Sequence, residues 1–140
     1  MPTMARKNYW LVKEEPEKYS WDAFVRDGKV TWDGVRNYQA RNNLKEMSAG
    51  DRVLFYHSVG PREVVGVAEV SREFFRDPTA DDDRWVSVEI RPVKALKNPV
   101  GLGAIKKDPL LAEVALVRQS RLSVMPLTRE EFNRILKLGS

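Results

Sequence analysis

The chain has 140 residues, 42% of them hydrophobic and 31% charged, which fits one globular domain of ordinary composition. It contains no cysteine, so disulfides, thiolate metal sites and cysteine nucleophiles are excluded. A net charge of +4 and a pI near 9.4 suit a polyanionic partner without requiring one.

The opening "MPTMARKNYW" lacks the apolar run of a secretory signal, and no stretch approaches the ~18 apolar residues of a membrane span. A cytoplasmic chain with no membrane partner is therefore expected. "YWLVK" (9–13) is a short β-prone run that stops at "EEPEKYS". Ser20 caps a brief helix, "WDAFVRDG", which Gly28 terminates. Asp33-Gly34 marks a turn. From Asn37 to Met47 the spacing is helical, with Ala40, Leu44 and Met47 on one face and Asn37, Arg41 and Lys45 along its flank. "AGD" (49–51) ends that helix, and "RVLFYHS" reads as a strand covered on both faces.

The two longest predicted strands are "EVVGVAEVSREFF" (63–75) and "RWVSVEIRPVKAL" (84–96), joined by the acidic turn "RDPTADDD". Two Pro and two Gly in "NPVGLGAIKKDPLLAEVALVRQ" predict short helical pieces, and "SRLSV" reads as a final strand. The last helix is the best signalled. Thr128 and Glu131 form a capping box, Leu127 and Phe132 a staple, and Phe132, Ile135 and Leu136 an apolar stripe. These elements predict a single α/β domain over 1–140 with a mixed, barrel-like sheet.

Catalytic signals are weak. His57 is the lone histidine, and no G-x-S-x-G elbow or metal-ligand spacing accompanies it. "DDD" (81–83) lacks the alternating ligands of a calcium loop, and "GLG" (101–103) is no phosphate cradle. Glu14 and Glu15 are the carboxylates that an enzyme reading would use, with His57 as the other candidate general base.

Binding signals are stronger. Trp21, Trp32, Tyr19 and Tyr38 lie in or beside turns, where aromatic rings suit flat ligands. Asn and Gln can read a base edge, and Lys13, Arg36, Arg41, Arg118 and Arg121 can hold phosphates. Together these are the side chains a site for an unstacked nucleotide requires. Each has a plainer alternative. Trp10 and Trp85 read as packing residues, Trp21 and Trp32 as plugs of a small barrel, Asn37 as a helix cap, and Arg41 and Lys45 as a solvated flank.

Six blocks in order carry a family resemblance: "YWLVKEEPEKYSWDAF", "WDGVRNYQARNNLKEM", "GDRVLFYHS", "GVAEV", "DPTADD" and "LVRQSRLSV". From Tyr9 to Leu136 the chain closely resembles the EVE domain, a member of the PUA-like superfamily alongside YTH and ASCH domains. The resemblance implies a mixed α/β pseudo-β-barrel with short helices around it. It also implies a non-catalytic module that recognises a modified nucleobase in DNA or RNA, accommodating a flipped-out base in an aromatic pocket. "WDGVRNYQARNNL" resembles one wall of that pocket, with "YSW" and "RQSRLS" facing it. The implied ligand-binding positions are Lys13, Tyr19, Ser20, Trp21, Trp32, Val35, Asn37, Tyr38, Arg41, Tyr56, His57, Arg118, Gln119, Ser120, Arg121 and Ser123. No cofactor or metal is expected, and a monomer is. One departure matters: "VKEEP" places Glu14 where many relatives carry Thr, which alters polarity near the entrance. The absence of a long basic N-terminal extension favours a bacterial stand-alone domain. The alternatives are an enzyme acting on a nucleotide or nucleic acid, and an adaptor that docks another protein.

Overall fold

Apolar residues on both faces of "RVLFYH" demand cover on both sides, and that segment lies in the interior of a six-stranded sheet. The computed structural model describes residues 8–140. Its strands are β1 (Tyr9–Glu14), β2 (Val30–Trp32), β3 (Arg52–His57), β4 (Glu63–Arg76), β5 (Val86–Gly101) and β6 (Val124–Leu127). Their spatial order is β2-β5-β4-β3-β1-β6. All neighbours pair antiparallel except β1 and β3, which run parallel. The β1-to-β3 connection holds α1 (Trp21–Asp27), β2 and α2 (Tyr38–Glu46).

Bulges bend this sheet. The register of β4 shifts once against β3 and four times against β5, and each irregularity adds local twist. The fifth strand runs on to Gly101, past the predicted end at 96. Pro99 is tolerated because it lies between the paired positions Ala95 and Val100, where the ladder is interrupted. Helix α2 packs against β4, β5 and the edge strand β6. Ala40, Leu44 and Met47 are buried, as their spacing predicts.

Local signals set the helix ends. The Ser20 side chain accepts from Ala23 N–H, and Gly28, at φ +78°, closes α1 in a left-handed conformation that a side chain would strain. The "SRLSV" segment differs from its predicted form. Only Val124 onward is strand, because residues 119–123 form a turn in which Leu122 N–H donates to Gln119 O at 3.0 Å. Between them lie α3 (Leu102–Lys107) and α4 (Ala115–Arg118), the predicted short helical pieces.

The C-terminal helix, α5 (Arg129–Leu138), has both halves of its capping box: Glu131 N–H reaches Thr128 Oγ at 3.1 Å, and Thr128 N–H reaches Glu131 Oε1 at 2.9 Å. Phe132 packs on the Tyr9 ring, 4.5 Å between centroids, which ties α5 to β1. Thr128→Ala is expected to lower stability by about 1 kcal/mol, the usual cost of a lost N-cap. Urea denaturation checks it, and an unchanged midpoint would show that another group caps the helix.

Candidate nucleic-acid interface

Parallel strands end together, and the cleft of interest opens beyond the C-terminal ends of β1 and β3. Glu14 sits opposite His57 and Lys13 opposite Tyr56, and the strand continues as Ser58 N–H donates to Glu14 O at 3.0 Å. The turn 119–123 folds against this end. Lys13 N–H donates to Ser123 O at 3.0 Å, and Lys13 Nζ donates to Ser120 O at 2.8 Å. The resulting hollow has a volume of about 610 Å³ and is lined by Lys13, Glu14, Tyr56, Arg62, Ser120 and Arg121, among others. That size falls within the range of small-molecule sites.

Two smaller hollows extend it. One, about 300 Å³, shares Ser120 and Arg121 and adds Asn37, Gln39, Arg118, Gln119 and Leu122. The other, about 260 Å³, shares Glu14 and Lys18 and adds Tyr19, Val30, Thr31, Trp32 and Asp33. Shared residues make the three one trough, running from the start of α2 past the β1 end to the Tyr19 and Trp32 walls.

Burial and neighbouring charge set the electrostatics. Burial and nearby Arg62 lower the Lys13 pKa. Burial raises that of Glu14, against the opposing pull of the Glu15 N–H and Lys18 and with help from Glu15 and Asp33. Asp33 is raised by burial and by the Asp77 charge. The Tyr19 phenol is pushed up to about 12 by burial and by its hydrogen bond to Asp27, 2.9 Å away. The trough thus combines cations, the three carboxyls of Glu14, Glu15 and Asp33, a Ser-rich turn and aromatic walls. Such a mixture can hold a phosphate, read a hydrogen-bonding edge and cover a flat ring.

The EVE domain family profile matches residues 8–138. The chain belongs to the EVE domain family. Thymocyte nuclear protein 1 of Mus musculus is 36% identical, over 94% of this chain and 73% of that protein. The crystal structure of protein Atu2648 from Agrobacterium tumefaciens superposes with a TM-score of 0.93 at 44% identity, covering 95% of this chain and 93% of that one. The crystal structure of human THYN1 protein in complex with 5-methylcytosine-containing DNA superposes at 0.89 with 30% identity, covering 96% and 98%. A YTH domain of Zygosaccharomyces rouxii shares the fold at a TM-score of 0.61 and 16% identity, covering 100% and 94%. This EVE domain is therefore a PUA-like mixed α/β fold, as its resemblance implied.

Of the sequence-predicted positions, the trough of this EVE domain gathers Lys13, Tyr19, Trp32, Asn37, Tyr56, Arg118, Gln119, Ser120, Arg121 and Ser123. Asn37 caps α2, its Oδ1 accepting from Ala40 N–H at 2.9 Å, and the residue also lines the hollow beside that helix start. Trp32 is 6% exposed and meets Phe55 edge-on at 5.6 Å, so it belongs to the core while bordering the smaller hollow.

The others lie elsewhere. Trp21 is 7% exposed, sits against Gly66 and meets Phe24 and Phe55 edge-on. It borders a separate hollow beside Val25 and Val93. Val35 is buried, and Ser20 is occupied as a helix cap. His57 Nε2 accepts from Trp21 N–H at 3.2 Å, and burial lowers its pKa. Tyr38 is stacked on Trp85 at 5.1 Å with the Arg41 guanidinium 4.9 Å from its ring, so these residues form a cluster outside the three hollows. Trp85 is accordingly a half-buried platform and not a core residue. Arg36 is held by Asp77 at 2.9 Å.

Composition alone missed Ser58, Val59, Arg62, Lys18 and Asp33 as lining residues. Arg62 lies in the loop between β3 and β4, where an isolated Arg after Pro reads as a solvated turn. Only the parallel β1/β3 pairing brings it beside Lys13.

Proposed function

We propose that this chain reads a modified nucleobase in DNA or RNA, admitting a flipped-out base to the trough while its cations hold the flanking backbone. One observation carries the reading: three hollows adjoin through shared residues, with Lys13, Arg62 and Arg121 lining the main one and Tyr19, Tyr56 and Trp32 among the walls. The DNA complex of the human relative, which shares this fold over nearly the whole chain, supports the same class of ligand. A base needs flat apolar walls and edge partners, and its strand needs positive charge. The binding function needs no proton-transfer residue. His57, the histidine candidate for such a role, spends its acceptor nitrogen on the Trp21 backbone.

Anisotropy titration of oligonucleotides differing in one modified base, as DNA and as RNA, tests this. The modified strand should bind more tightly. Arg62→Ala and Arg121→Ala should each weaken both strands by a similar factor and flatten the log-log salt dependence by about 0.7 per lost phosphate contact on single strands. Equal affinity for modified and unmodified strands would sink the reading.

A further inference from the structure

We infer that Glu14 reads the exocyclic amine of the bound base, so that the trough selects amine-bearing bases over keto-bearing ones. This rests on the base-reading function proposed above and adds the edge chemistry to it.

Position is the first argument. Glu14 is the last residue of β1, and it borders both the main hollow and the smaller one walled by Tyr19 and Trp32. A carboxylate at a strand end is held by the ladder, with backbone bonds to β3 fixing its origin. The second argument is unspent bonding capacity. Among the described residues, the carboxylate takes one hydrogen bond, from Glu15 N–H onto Oε1 at 2.9 Å. Lys18, its nearest cationic rival, is paired instead with Glu15 at 2.9 Å. Oε2 therefore keeps open acceptor capacity on a half-buried residue that lines both hollows.

The ligand class follows from what surrounds that acceptor. Lys13, Lys18, Arg62 and Arg121 outnumber Glu14 and Glu15 in the same hollow, so its net charge disfavours a metal cation and favours a phosphate strand. What remains to fill an acceptor-only group is a neutral N–H donor. The N4 amine of cytosine and the N6 amine of adenine are such donors, and carboxylates pair with the former in base readout. The O4 of a uracil-type base would instead press lone pairs against the carboxylate. Burial, which raises the Glu14 pKa, marks poor hydration at this site and makes an unpaired acceptor costlier.

Four oligonucleotides differing at one position separate this inference from the reading beneath it: cytosine, 5-methylcytosine, uracil and 5-methyluracil. The methyl contrast reports modified-base reading, and the amine contrast reports Glu14. The parent should favour each amine base over its keto counterpart by about tenfold, the scale of one good edge contact. Glu14→Gln can turn its amide N–H₂ toward O4, so it should erase or invert that preference while retaining the parent's salt dependence. Glu14→Asp keeps the charge one methylene short and should fall between. Circular dichroism melts establish that both variants are folded. A parent indifferent to amine against keto, or a folded Glu14→Gln with the parent's preference intact, overturns the inference even if methyl discrimination stands. Loss of methyl discrimination with the amine preference intact overturns the modified-base reading alone.

Discussion

Asp77→Asn is expected to destabilise the fold by about 3 kcal/mol at neutral pH, because a buried carboxylate that gathers four donors is replaced by a group that must donate on one side. Asp77 is fully buried. Its Oδ2 accepts from Gly34 N–H at 2.8 Å and Arg36 Nη1 at 2.9 Å, and its Oδ1 from Thr79 N–H at 2.7 Å and Thr79 Oγ1 at 2.6 Å. An Asn at this place sets its own N–H₂ against one pair of these donors. The carboxyl is lowered to about 2; burial acts against this, and the Thr79, Arg36 and Gly34 hydrogen bonds overcome it.

A folded-state pKa below the unfolded value stabilises the fold above the unfolded pKa and loses that contribution as pH falls through the folded one. The window here runs from roughly pH 4 down to about 2, and the contribution lost across it is about 2 kcal/mol. The gap between parent and variant in urea midpoints should therefore narrow across that window. A constant gap would mean that Asp77 acts through shape and not through charge. Because Gly34 and Arg36 flank the segment that presents Trp32, Asp33 and Asn37 to the trough, base binding should weaken along with stability.

The same tie shows what the sequence can and cannot reveal. Turns and caps were legible, since Ser20, Gly28, Thr128 and Glu131 act on neighbours a few residues away. The three-residue β2 was not, because it exists only by pairing with Val88–Ile90 near the start of β5. The polar turn at 118–123 and Lys13 stood out by residue type. Arg62, Ser58 and the cavity role of Glu14 depend on which strand ends lie side by side, and no local pattern encodes a parallel pairing. Arg36 reads as a phosphate candidate by residue type, but its ion pair with Asp77 depends on a partner 41 residues away, which no local pattern encodes. The four tryptophans make the point most sharply. Trp10 donates its indole N–H to buried Asp51 at 2.9 Å, and Trp85 lies half-exposed beneath Tyr38. Exposure follows from packing partners, which turn-flanking alone does not specify.

Gly66→Ala is the second large effect, and it runs through Trp21. Gly66 lies in β4 between Phe55 of β3 and Ala95 of β5, at a place where a Cβ would stand 2.4 Å from Trp21 Cη2 and 2.5 Å from Cζ2. No real Cβ contact is that short, so either the indole or the strand must move. The indole has little room, with Phe24 and Phe55 each meeting it edge-on at a centroid distance of 5.5 Å. Trp21 also starts α1, and its N–H is committed to His57. Displacing it drags the helix and the adjoining Tyr19, a wall of the trough. The expected loss is about 3 kcal/mol, the upper part of the range for overpacked cores, or roughly 10 °C in melting temperature for a chain this size. Trp21→Leu alone should also destabilise, by cavity formation. The decisive measurement is the double variant: with the ring gone the added methyl has space, so the pair should be more stable than the summed single losses by at least 1 kcal/mol. Strict additivity would locate the damage of Gly66→Ala in the strand itself, and would remove Trp21 as the link between this glycine and the binding face.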